Sequence, residues 1–251
     1  MISIFSKILF HFGKYVLFMK GLFLKPEKFS FYRRQIFVEM ESIGVSSMAI
    51  VSITSIFLGA VISIQAAHNL FNKFVPLFVV GVVTRDSIVL EFAPTIMCLV
   101  LAGKVGSSIS SELGTMRVTE QIDALEIMGI NSSGFLVLPK IVAAMVMFPC
   151  LILISTFLGI TGGWVSGVMS GVISSDNYIR GLHFNFQPFN VTFSMMKTLV
   201  FAFIFTSVSA YHGYYTEGGA LEVGKSSTNA VVYSTILILL FDFILTQIFL
   251  S

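Results

Sequence analysis

Apolar runs of about 20 residues, long enough to cross the roughly 30 Å hydrocarbon layer of a bilayer as a helix, recur five times along this chain. They fall at roughly 45–67, 76–102, 136–170, 191–212 and 229–250. A segment surrounded by lipid must satisfy its backbone N–H and C=O groups internally, so all five runs are expected to be helices. The composition leaves no soluble alternative: 55% of the 251 residues are hydrophobic, only 11% are charged, and one core would have to hide most of 26 Phe. The sequence therefore predicts an all-α polytopic membrane protein with about five transmembrane helices, a single membrane-spanning domain over residues 1–251.

Two runs depart from plain hydrophobicity. The second carries Arg85, Asp86, Glu91 and Pro94, and a kink is expected near the proline. The third is long and contains Gly159, Gly162, Gly163, Gly167 and Gly171, at spacings that let helices pack closely. Before the first span, Lys7, Lys14, Lys20, Lys25 and Lys28 interrupt an apolar segment too often for a cleavable signal. Residues 1–40 read instead as an amphipathic segment in the headgroup layer, with its Lys stems snorkelling toward phosphates.

Basic residues set the orientation, with Arg85 and Lys197 set aside as boundary positions. With the N-terminus in the cytoplasm, that side holds Lys7, Lys14, Lys20, Lys25, Lys28, Arg33, Arg34, Lys104, Arg117, Lys140 and Lys225, and the other side only Lys73 and Arg180. Eleven against two predicts an inside N-terminus and an outside C-terminus. The polar insert 103–135 is then cytoplasmic. Within it, Thr119 is expected to cap a helix of about three turns, with Glu120 and Asp123 on the first turn and Gly129 ending it. Val118, Ile122 and Leu125 form an apolar stripe that needs a surface to lie on, either the membrane itself or a soluble partner.

A literal nucleotide-binding pattern, Gly219 followed by Gly224-Lys225-Ser226, sits between the fourth and fifth spans. Phosphate binding by that pattern requires a loop leaving a buried strand and opening a helix. Here it joins two apolar spans, so a tight cytoplasmic turn is expected. No catalytic residue is assigned: the four His are scattered, and neither HExxH nor GxSxG occurs. No cofactor, metal or nucleic-acid partner is expected either, since the formal charge is only +2 and Cys98 and Cys150 lie singly in apolar runs as small buried hydrophobes. Glu91 and Asp242 are intramembrane carboxylates, which act in proton relays or are solvated or hydrogen-bonded within the bundle.

The runs Glu91-Phe-Ala-Pro94, Ala102-Gly-Lys-Val-Gly106 and Glu112 to Leu125, with Gly218-Gly219, Val223-Gly-Lys225 and Ala230-Val-Val232, closely resemble the MlaE family of ABC permeases. The match covers nearly the whole chain, with the first 40 residues and the loop 174–190 least alike. Two departures stand out. Lys104 replaces a frequent Arg, and Leu90 replaces a basic residue that often precedes the glutamate.

The resemblance implies a homodimeric permease of the bacterial inner membrane that moves phospholipid and maintains envelope lipid asymmetry. Its partners would be cytoplasmic ABC ATPase subunits that carry out the ATP hydrolysis, a periplasmic MCE-domain lipid carrier and a STAS-domain protein. Glu112, Arg117, Glu120, Gln121 and Asp123 would belong to the coupling helix that meets the ATPase. Glu91 and Lys197 are expected at the outer end of a lipid pocket on the dimer axis, because a charge in a spanning run needs water, a partner or a headgroup. The alternative is a secondary transporter or channel that uses Glu91 and Asp242 directly.

Overall fold

The computed structural model describes residues 2–22, 29–70 and 76–250, with side-chain surroundings for 9–22, 32–70 and 76–250. The side chains of Lys7, Lys25, Lys28 and Lys73, which entered the orientation argument, lie outside the described residues. Every regular element among the described residues is helical. They are α1 (Ile2–Gly21), α2 (Phe29–Ile43), α3 (Met48–Asn69), α4 (Phe78–Val118), α5 (Gln121–Ile127), α6 (Ser132–Met169), α7 (Ser175–His183), α8 (Pro188–Tyr214) and α9 (Ala220–Leu250). Among the described residues, five stretches are long and apolar enough to cross a membrane: Tyr32–Asn69, Phe78–Val118, Ser132–Met169, Pro188–Tyr214 and Ala220–Leu250. The second runs well past the expected end near 102 because Ser107–Val118, though polar, continues the helix.

The burial pattern departs from that of a soluble protein, with small polar groups buried and large apolar ones exposed. Ser55, Ser63, Thr84, Ser155, Thr198 and Thr206 are buried, while Phe57, Phe157 and Phe243 stand exposed. With lipid as the solvent, large apolar groups lose nothing by staying outside, and small polar residues let helices pack closely. Cys98 is buried as expected, but Cys150 is exposed on the outward face of α6, where lipid makes burial of a small apolar group unnecessary.

The chain divides into two compact units. One comprises residues 1–43, 101–146 and 202–238. In it Phe18 of α1 packs edge-on or tilted against Tyr211, Tyr214 and Tyr215, and Tyr15 hydrogen-bonds the Ser207 hydroxyl at 2.7 Å. Asn131 donates to the last carbonyl of α1, Gly21 O, at 2.8 Å, satisfying an orphan acceptor at the helix end. Leu9, Phe10, Phe12 and Leu17 of α1 face outward. Lys14 departs from the snorkelling expectation: its ammonium lies 3.8 Å from the centre of the Tyr215 ring, where the ring quadrupole attracts it.

The other unit comprises residues 44–100, 147–201 and 239–251. Here Gly159, Gly162, Gly163 and Gly167 make close contacts as read from their spacing, whereas Gly171 lies past the end of α6 at φ 69°, where a Cβ would meet nothing within 4 Å, and serves the turn instead. A Cβ on Gly59 would come within 1.8 Å of the Gly159 carbonyl oxygen, and one on Gly162 within 2.5 Å of Ile56 O, so α3 and α6 touch backbone to backbone. Ser55 and Ser155 hydrogen-bond across this seam at 2.8 Å. Gly81 and Gly181 bring α4 and α7 equally close. Arg85, left unassigned at the boundary, is buried and donates to Leu182 O and Phe184 O at 2.8 and 2.9 Å, capping the C-terminal end of α7, while Asp86 holds its Nε.

Candidate functional site

Around Pro94, α4 widens into π-helical geometry over Ile88–Ile96. The cause is covalent. In an α-helix residue 94 would donate its N–H to the carbonyl four residues back, that of Leu90, and proline has no N–H to give. The Leu90 carbonyl accepts instead from the ammonium of Lys197 on α8, at 3.2 Å. Single π turns within α-helices often mark functional positions.

Lys197 is the centre of a buried cluster. Its Nζ lies 2.9 Å from Glu91 Oε1 and 2.7 Å from Asp242 Oδ1 of α9. With Leu90 O, three acceptors meet the three N–H donors of the ammonium, and its side chain is 0% exposed. Thr95, one turn after Glu91 on the same face, places its hydroxyl 3.3 Å from Glu91 Oε2 and 3.1 Å from Asp242 Oδ1. The carboxylates differ: the side chain of Asp242 is 17% exposed and that of Glu91 43%. Lys197 is the held cation, and Glu91 offers the open face. The sequence reading paired Glu91 with Lys197 but left Asp242, Thr95 and the Leu90 carbonyl outside the site. The four-residue step from Leu90 to Pro94 was the signal that would have exposed the carbonyl.

The insert residues gather in the other unit. Glu120 adopts a left-handed conformation, φ 59°, and breaks the chain between the end of α4 and the start of α5. The expected cap is therefore corrected: Glu120, not Thr119, precedes the helix, and the Thr119 hydroxyl closes the preceding turn on Thr115 O at 2.8 Å. The helix has 7 residues, shorter than three turns. Its end is as expected, with Gly129 at φ 79°, Gly129 N bonding Glu126 O at 2.9 Å and Ile130 N bonding Leu125 O at 3.1 Å, a Schellman closure.

Around this corner Arg117 pairs with Asp123 across the break, and Gln121 donates to the Thr119 hydroxyl at 3.0 Å. The apolar stripe is redistributed. Ile122 is fully buried, and the exposed apolar groups are Ile127 and Met128, at 88% and 65%. Because α5 is short, the inward side of the stripe packs on its own unit. Glu126 anchors it, accepting from Ser132 and Tyr214, each at 2.9 Å.

Glu112 is tied from a direction the sequence did not reveal. Lys140 of α6, counted earlier only for its charge, is buried and reaches both Glu112 Oε2 and Glu39 Oε1 of α2 at 2.8 Å. Glu39 is buried with it, whereas the Glu112 side chain is half exposed. Each unit thus holds one buried lysine between two carboxylates. Glu39 and Lys140 lie about 100 residues apart in sequence, and no local pattern joins them.

The nucleotide-binding pattern forms no phosphate loop. It enters α9 directly after Gly218, whose φ is 112°. Lys225 is paired with Glu222 at 2.6 Å, and the Ser226 hydroxyl donates to His212 O at 2.6 Å.

The family model described as Permease MlaE matches residues 36–248. A probable ABC transporter permease protein of Rickettsia bellii is 36% identical over 237 residues, 94% of this chain and 91% of that protein. A probable ABC transporter permease protein of Synechocystis is 36% identical over 214 residues, 85% of this chain and 81% of that protein. The chloroplastic protein TRIGALACTOSYLDIACYLGLYCEROL 1 of Arabidopsis thaliana is 32% identical over 212 residues, 84% of this chain and 60% of its own length.

Proposed function

The chain belongs to the MlaE permease family, and from that membership we propose that it is the membrane-spanning subunit of an ATP-driven phospholipid transporter of the bacterial inner membrane. The observation that carries the lipid reading is the Lys197 cluster. A fully buried ammonium held by two carboxylates inside spanning helices is costly to build, and such groups in membranes mark substrate paths. Glu91 lines that path, and Lys197 fixes its carboxylate. The alternative of a carrier that titrates Glu91 and Asp242 directly is weaker, because both carboxylates are already engaged by the same lysine.

Hydrolysis of ATP is assigned to separate cytoplasmic ATPase subunits. Glu112, Arg117, Glu120, Gln121 and Asp123 surround the corner from which Ile127 and Met128 project, an apolar centre with a charged rim of the kind that partner grooves accept. A periplasmic MCE-domain carrier and a STAS-domain protein complete the proposed assembly, with a second copy of the chain as the dimer partner. Only 11% of the apolar window of Ala220–Leu250 is buried within the chain, which leaves that helix surface for lipid or for the second copy.

The test is lipid occupancy. Phospholipid co-purifying with the assembled transporter is expected to fall several-fold in Glu91→Ala, with dimerisation and ATPase binding retained. Wild-type occupancy and full transport by this variant would remove Glu91 from the lipid path.

A further inference from the structure

We infer that the Lys197 cluster selects phospholipids whose headgroup carries a primary ammonium, an inference that rests on the lipid-binding reading above. Two carboxylates and one ammonium sum to a formal charge of −1. Residue 90 adds no cation, since the chain has Leu there and contributes only its carbonyl. Arg85, on the same helix, is spent on Asp86 and on the carbonyls that end α7. The cluster therefore carries an uncompensated negative charge in a setting where Coulomb interactions are stronger than in water.

The donors and acceptors point the same way. Lys197 has no N–H left: its three donors meet Leu90 O, Glu91 and Asp242, and its side chain is 0% exposed. It cannot reach out to a phosphate without breaking one of these bonds. Thr95 has one hydroxyl proton and two carboxylate oxygens within 3.3 Å, so one of them goes without it at any moment. The unfilled capacity is for a donor, and it opens to the outside through Glu91, whose side chain is 43% exposed.

An ammonium placed there makes a charge-assisted hydrogen bond and brings the sum to zero. A quaternary ammonium supplies the charge without the N–H. A glycerol headgroup can donate O–H but brings no positive charge, and leaves the cluster's excess negative charge beside its own anionic phosphate. The expected order is ethanolamine-type headgroups first, choline-type second and glycerol-type last.

The experiment exposes the purified assembled transporter to vesicles equimolar in phosphatidylethanolamine, phosphatidylcholine and phosphatidylglycerol, then quantifies the retained lipids by mass spectrometry. Phosphatidylethanolamine should be enriched about tenfold over phosphatidylglycerol, the ratio a single charge-assisted bond supports. In Glu91→Gln the preference, read as the ratio among whatever lipids are retained, should fall to within about twofold, and Glu91→Asp should retain it. Retention of phospholipid by the wild type without discrimination, or with phosphatidylglycerol enriched, overturns the headgroup inference alone, as does an undiminished preference in Glu91→Gln. A wild-type protein that retains no phospholipid overturns the lipid-binding reading beneath it.

Discussion

At the residue scale, a buried lysine and its two carboxylates stabilise one another only as a set. Removing Lys197 leaves Glu91 and Asp242 facing each other without a cation, whereas neutralising Glu91 leaves Lys197 still paired with Asp242. Lys197→Met is therefore expected to lower stability by about 3–5 kcal/mol, the cost of an orphaned buried charge. Glu91→Gln should cost much less, since that side chain is 43% exposed. Thermal unfolding of the detergent-purified protein checks the order, and an equal loss for the two variants would contradict it. Glu91 and Lys197 were legible in the sequence because charge in a spanning run is rare. Asp242 was visible as a carboxylate, but nothing in sequence spacing joins residues 91, 197 and 242. The Leu90 carbonyl was available from chemistry alone, since Pro94 removes its α-helical donor.

Elements were read well where periodicity governs them and less well where single residues decide. All five spans follow from apolar length, and glycine spacing marked α6 as a close-packing helix without naming α3 as its partner. Gly59 supplies a sharp test. Its Cβ would lie 1.8 Å from a backbone carbonyl oxygen that has no room to move, while a Cβ on Gly103 would meet nothing within 4 Å. Gly59→Ala is expected to cost more than about 3 kcal/mol through forced separation of the helices. Gly103→Ala should be neutral or slightly stabilising, by up to about 1 kcal/mol, as expected for glycine to alanine in a helix. The fraction of monodisperse protein after detergent extraction reads both. The insert was harder. Its glycine stop was legible because only glycine takes φ 79° without strain, but the start was misplaced by one residue. The left-handed Glu120 has no sequence signal, since a non-glycine residue reaches that conformation only when its surroundings hold it there.

At the scale of the whole molecule, the all-α membrane fold was fixed by lipid chemistry and needed no packing detail. The division into two units was not legible, because α4, α6, α8 and α9 each contribute residues to both. Orientation remains a consequence of the basic residues: a Cys placed at Thr119 in a Cys-free background should react with an impermeant thiol reagent only after the cells are opened. Labelling from outside intact cells would reverse the topology and separate the insert from any cytoplasmic ATPase. Movement of phospholipid in proteoliposomes separates a permease powered by a separate ATPase from a carrier that works alone. With the permease and its ATPase subunits reconstituted together, labelled phospholipid should be transferred only when ATP is supplied and hydrolysed, and transfer should collapse in Glu91→Ala. Transfer by the permease alone, or driven by a proton gradient without ATP, would overturn the ATP-driven role.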